Sequence, residues 1–130
     1  MTTTQTRLSW VAQVIAALIM LQTLFFKFTA APESVYIFST LGVEPWGRIG
    51  AGVSELIAAI LLLIPSTAGI GAMMGLGIMA GAILSHLTVL GIDVQNDGGY
   101  LFTLALITAL CCVVVAFLRR KTIPFVNKFV

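Results

Sequence analysis

Glu55 lies inside Val53-Ser54-Glu55-Leu56-Ile57-Ala58-Ala59-Ile60-Leu61-Leu62-Leu63-Ile64, a run otherwise apolar enough to cross a bilayer. An acid at mid-bilayer depth costs roughly 2.5–3.5 kcal/mol on insertion scales, so such a group holds a partner, a proton or a function. Four further polar side chains stand in or at the ends of apolar runs: Gln22, Lys27, Arg48 and His86. Arg48 and Glu55 are two helical turns apart and share a face, with Gly52 between them leaving a gap in the side-chain layer. Three positively inclined groups around one carboxyl suit an anion or a carbonyl-bearing head group. Each also has a plainer use. Lys27 and Arg48 near span ends can snorkel as interfacial anchors. His86 can bond to a neighbouring helix. Glu55 can form a structural pair with Arg48, Lys27 or His86.

The elements that must position these groups are membrane spans. Of the 130 residues 59% are hydrophobic and only 9% charged. A soluble domain carries about a quarter charged residues, so this chain cannot cover a water-facing surface. The reading is an all-α integral membrane four-helix bundle forming one domain over residues 1–130, with the lipid bilayer as its solvent. The spans fall at about residues 8–28, 45–64, 67–90 and 99–118. The first is too long for a signal-peptide core and reads as a retained span. A short helix at 34–41, started by Pro32-Glu33 and stopped by Gly42, lies at the interface or folds over the bundle mouth. Pro45 starts the second span with Trp46 as an anchor, Ser66 can cap the third, and Asp97 can cap the fourth. The tail, with Pro124, Phe125, Asn127, Lys128 and Phe129, hugs the membrane surface.

Four spans put both termini on one side, with Arg7, Arg119, Arg120, Lys121 and Lys128. The positive-inside rule makes that side cytoplasmic, in a bacterial cytoplasmic membrane. A rise of ~1.5 Å per residue then sets Glu55 ~15 Å deep and His86 ~6 Å below the outer surface. All five polar groups therefore fall in the outer half, and a polar pocket open to the outside follows if they face inward. Gly71/Gly75 and Gly77/Gly81 form two small-x-x-x-small pairs on different faces of the third span. They serve internal helix packing, a homo-oligomer contact, or both.

Several classes are excluded. No basic block points to nucleic acid. One histidine and no clustered acids give no metal-ligand spacing. Cys111 and Cys112 are adjacent in an apolar run and read as small hydrophobes. No intrinsic cofactor or redox centre is legible.

The chain resembles the DoxX family of small bacterial membrane proteins over about residues 8–118. The resemblance rests on Phe25-Phe26-Lys27-Phe28, Leu41-Gly42 with Pro45, Gly52-Val53-Ser54-Glu55-Leu56, Leu61-Leu62-Leu63-Ile64-Pro65, Met79 to Leu87 and Asp97-Gly98-Gly99. It implies a four-span bundle in the cytoplasmic membrane. The family is similar to a small subunit of thiosulfate:quinone oxidoreductase, and some members are linked to membrane redox complexes. Two readings follow. In one, the protein is a redox-associated subunit that binds a quinone or a small sulfur oxyanion. Glu55 is then the candidate catalytic proton acceptor or donor, Lys27, Arg48, His86 and Gln22 bind the ligand, and a partner subunit completes electron transfer. In the other, it is a non-enzymatic scaffold or assembly partner whose buried polar residues fix helix register. Whether it is an enzyme stays open at this point.

Overall fold

The structure, a computed structural model, describes residues 1–94 and 96–124. Phe125, Asn127, Lys128 and Phe129, expected on the membrane surface, lie outside the described residues. In lipid every backbone polar group must be satisfied within the protein, and a single apolar run of about 20 residues does this on its own only as a helix. The chain forms α1 (Thr3–Phe28), α2 (Pro32–Thr40), α3 (Trp46–Leu63), α4 (Ala68–Ser85) and α5 (Tyr100–Leu118). Four helical segments, α1, α3, α4 with its flanking turns, and α5, are long and apolar enough to cross a membrane.

The helix ends show local chemistry that hydropathy misses. α1 begins five residues before Leu8 because Thr2 and Gln5 form a capping box. Gln5 N–H donates to Thr2 Oγ1 at 3.1 Å, and Thr2 N–H donates to Gln5 Oε1 at 3.0 Å. Ser66 does not cap α4. It sits in a 3₁₀ turn, Pro65–Thr67, and the next residue's hydroxyl turns back to donate to the Leu61 carbonyl at 2.9 Å. That bond adds to the one the Leu61 carbonyl accepts from the Ile64 N–H and helps close the end of α3. Asp97 does serve α5: its carboxylate accepts from the Val94, Gly99 and Leu101 N–H groups. Partial burial pushes its pKa up, but these backbone donors outweigh that and hold it below its ordinary value of 3.8. α4 runs on into a π-helical turn, His86–Leu90, ended by Gly91 at φ +79°.

The spans form a ring in which α1 packs on α3 and α5, and α4 packs on the same two helices. One end carries Arg7, Arg119, Arg120 and Lys121 and is called the basic end; the other is the α2 end. The tight core is built largely from Ala12, Ala16, Ala58, Ala68, Ala72 and Cys112, with Met20 and Leu62 filling between them. Gly71 meets the α3 backbone and Gly75 lies under the Cys112 sulfur of α5, so the Gly71/Gly75 pair is used for packing within the chain.

Candidate functional site

Thr23 and Lys27 are one turn apart on α1 and face α3. There the Lys27 ammonium lies 2.7 Å from Glu55 Oε1. The Thr23 hydroxyl donates to Glu55 Oε2 at 2.6 Å. Glu55 is 2% exposed, and both its oxygens are engaged. Of the three partners open to it on sequence, Lys27 is the one taken. A buried ion pair offsets its desolvation only when the remaining lone pairs find donors, and Thr23 supplies one.

Arg48 is buried too but turns away from Glu55. Its Nε donates to both oxygens of Glu44 at 2.9 and 3.1 Å, and its Nη1 donates to the Lys27 carbonyl. It ties the last turn of α1 to the start of α3 through a carbonyl whose backbone bond, from the Ala30 N–H at 3.4 Å, is long. Gln22 is exposed on the outside of α1. It is 100° of helical rotation from Thr23, which takes the inward position instead. The gap left at Gly52 is filled by the Phe28 ring.

Next to the Lys27–Glu55 pair is a cavity of about 430 Å³, within the roughly 300–1,000 Å³ typical of small-molecule sites. Its walls come from all five helices. α2 closes one end with Glu33, Ser34, Ile37 and Phe38, joined by Leu41 just after it. Apolar groups such as Ile19, Ile78, Met79, Leu101 and Leu104 form most of the rest. Ser54 and Ser85 add hydroxyls.

His86 completes the lining and is 6% exposed. Its Nδ1 lies 2.8 Å from the Ala82 carbonyl oxygen. A carbonyl only accepts, so Nδ1 carries the proton. On the neutral ring Nε2 is then an acceptor; on the imidazolium it is a donor. Nε2 is buried and has no hydrogen-bond partner among the described residues. Leaving such an atom unpaired costs about 1–3 kcal/mol, which a ligand hydrogen bond would recover. The ring packs on Phe102, centroids 5.5 Å apart, and starts the π-helical turn. π-turns within helices recur at functional sites.

Lys27, Glu55 and His86 thus meet at one cavity, while Arg48 and Gln22 do not. Thr23, Ser34, Ser54 and Ser85 join it unanticipated. Thr23 was legible, because it stands one turn from Lys27 on the same face. Ser34 was not, since only the docking of α2 brings it inward. Among the described residues no three His, Cys, Asp or Glu side chains group as metal ligands.

The profile of the DoxX-like family matches residues 11–117. The chain belongs to the DoxX-like family. Comparison with curated proteins and with solved structures finds no match. The matched stretch of this DoxX-like, multi-pass membrane protein contains every residue that lines the cavity, from Ile19 to Ala105. Arg7, Ser9 and Arg119, at the basic end, lie outside it.

Proposed function

We propose that this DoxX-like protein is a redox-associated membrane subunit that binds a quinone-type head group in the cavity beside Lys27, Glu55 and His86. Both termini are cytoplasmic in this reading, so the cavity is in the outer half of the bacterial cytoplasmic membrane. The observation that carries it is the unpartnered Nε2 of His86 in a mostly apolar cavity. A neutral His86 accepts the hydroxyl of the reduced, quinol form. A protonated His86 donates to a carbonyl of the oxidised form. Glu55, beside the same space, takes up or releases the second proton, and Lys27 and Thr23 hold its charge. Electrons come from or go to a partner subunit. A small anion suits the site less well: Lys27 is already paired with Glu55, and Arg48 with Glu44.

One observation favours the scaffold reading instead. Both Glu55 oxygens are already bonded within the protein, as expected of a group that fixes helix register. The two readings separate on purification from native membranes with quantification of bound quinone by mass spectrometry. The quinone reading expects retained quinone in the unaltered protein and its loss in His86→Leu at unchanged thermal stability. If Glu55→Gln lowers thermal stability alone, with quinone retention and partner activity intact, the scaffold reading holds for Glu55. Cysteine introduced at Asp93 should react with an impermeant reagent from outside; labelling only from the cytoplasm would reverse the orientation.

A further inference from the structure

The cavity is not closed equally on every side. At the α2 end it is covered by Ile37 and Phe38 of α2 and by Leu41 just after it, and α2 also touches the π-helical turn after α4. Between α1 and α3, the Phe28 ring lies on Gly52. Between α4 and α5, His86 packs on Phe102. The seam between α3 and α4 is different. Near the basic end it is tight, with Gly71 against the backbone of Ala58 and Leu62. Toward the α2 end its residues are small: Ala51 and Ser54 on α3, and Gly77, Gly81 and Ser85 on α4. All five line the cavity. Gly77 and Gly81 are also exposed, and a Cβ added at either would meet nothing within 4 Å. Glycines that are exposed and line a cavity together mark where that cavity opens. This opening is on the flank of a membrane-spanning helix, so it faces lipid.

A seam of small residues is most simply a helix-packing surface. The second observation points to a ligand: His86 Nε2, unpaired at 6% exposure, belongs to the same cavity. A head group held at His86 shares a mostly apolar cavity with the Lys27–Glu55 pair, Ser54 and Ser85, and has a way out between α3 and α4 over Gly77 and Gly81.

We infer that the α3–α4 seam is a lateral portal through which a bilayer-borne amphiphile enters, its polar head at His86 and its aliphatic tail lying over Gly77 and Gly81 into the lipid. For the quinone ligand this rests on the reading proposed above; the portal applies to any single-tailed amphiphile of the same shape. Ligand therefore arrives from the membrane and not from the aqueous side, and the glycines set how thick a tail can pass.

The test is lipid-nanodisc protein, as extracted, with Gly81→Leu as the main variant and Gly77→Leu, one turn away on α4, as the second. Both place a side chain at the opening. Bound small molecules are measured by mass spectrometry, and each protein is also titrated with a ten-carbon-tailed quinol and with the tail-less quinol head group. The expected result is at least tenfold weaker binding of the tailed quinol in both variants, with the head group bound as in the unaltered protein. If the unaltered protein retains a different amphiphile that both variants lose, the portal stands and the quinone reading falls. If both variants keep the tailed quinol at unaltered affinity, the portal is wrong and the quinone reading survives. Loss of head group and tailed quinol together overturns the portal, because the site itself has then changed. A change in oligomeric mass in place of ligand retention assigns the glycine face to a contact between copies and overturns it as well.

Discussion

At the basic end the four spans close on one another through alanine and glycine; at the α2 end the same four spans stand apart around a cavity. Both halves bury polar side chains, but they satisfy them differently. In the basic half, Arg119 Nε donates to the Ser9 hydroxyl at 3.0 Å, Ser9 donates to Gln13 Oε1 at 2.7 Å, and Gln13 Nε2 donates to the Leu62 carbonyl at 2.6 Å. Ser9 and Gln13 are fully buried, and each bond in the chain has its partner. The network ties α1 to the end of α3 and to the residue after α5. In the α2 half, Lys27, Thr23 and Glu55 satisfy one another, but His86 Nε2 is left over and room remains beside it. A closed, satisfied network fixes a bundle; an unsatisfied atom beside a cavity leaves a bond for something else to make. That contrast, more than the presence of an intramembrane acid, separates the two ends.

Substitutions at the two ends should therefore have different consequences. Lys27→Met should be the most damaging change, costing about 3–5 kcal/mol by leaving Glu55 buried without its counter-charge. Adding Glu55→Gln should restore most of that loss, read as the shift in a chemical unfolding midpoint. Full recovery of neither stability nor midpoint would mean that Lys27 acts through something other than the pair. Next, the two glycine pairs should differ. Gly71→Ala puts a Cβ 2.7 Å from the Leu62 nitrogen and should cost about 1–3 kcal/mol. Gly81→Ala meets open space and should stay within about 0.5 kcal/mol. Equal effects in a thermal melt would remove the distinction between closed and open ends.

Gln13→Leu should cost about 1–2 kcal/mol, because the Leu62 carbonyl and the Ser9 hydroxyl both lose a buried partner. Amide exchange in the last turn of α3 would report it locally. The smallest effect is in the loop before α5. Asp97 has its pKa lowered by backbone donors, so its charged form stabilises the folded loop. That stabilisation should be complete above the ordinary carboxylate value of 3.8 and lost as the pH falls through the lower folded value. Protection of the Leu101 amide should follow that course, and Asp97→Ala should abolish the pH dependence.

The four spans and the short helix were legible because apolar runs and helix signals are local. The inward face of α3 was legible for the same reason: Arg48, Gly52 and Glu55 fall on one stripe, and all three are buried. What those residues do was not. Arg48 is close to Glu55 in helical phase but Glu44 is within its reach one turn away, and the carbonyl of Lys27 completes its bonding. Gln22 and Thr23 are both polar and adjacent. Rotation of α1 in the bundle puts Thr23 in and Gln22 out. The Gly71/Gly75 and Gly77/Gly81 pairs look alike in sequence and differ in face, and only the packing of α4 on its neighbours decides which face meets other helices and which meets open space. The capping box at Thr2 and Gln5 was readable but hidden, since hydropathy marks where lipid begins and not where a helix begins.

The number of spans, their approximate ends, the basic side, and the placing of Lys27, Glu55 and His86 in one half of the bundle are legible in the chain alone. These follow from transfer free energy and helical rise, which act residue by residue. Tertiary structure alone decided that Glu55 pairs with Lys27, that Arg48 braces a helix end, and that His86 presents an unpaired nitrogen to a cavity. Those outcomes depend on the relative rotation and divergence of helices far apart in the chain. No local propensity encodes them; they are set by which small residues let two backbones meet and which polar atoms are left when they do.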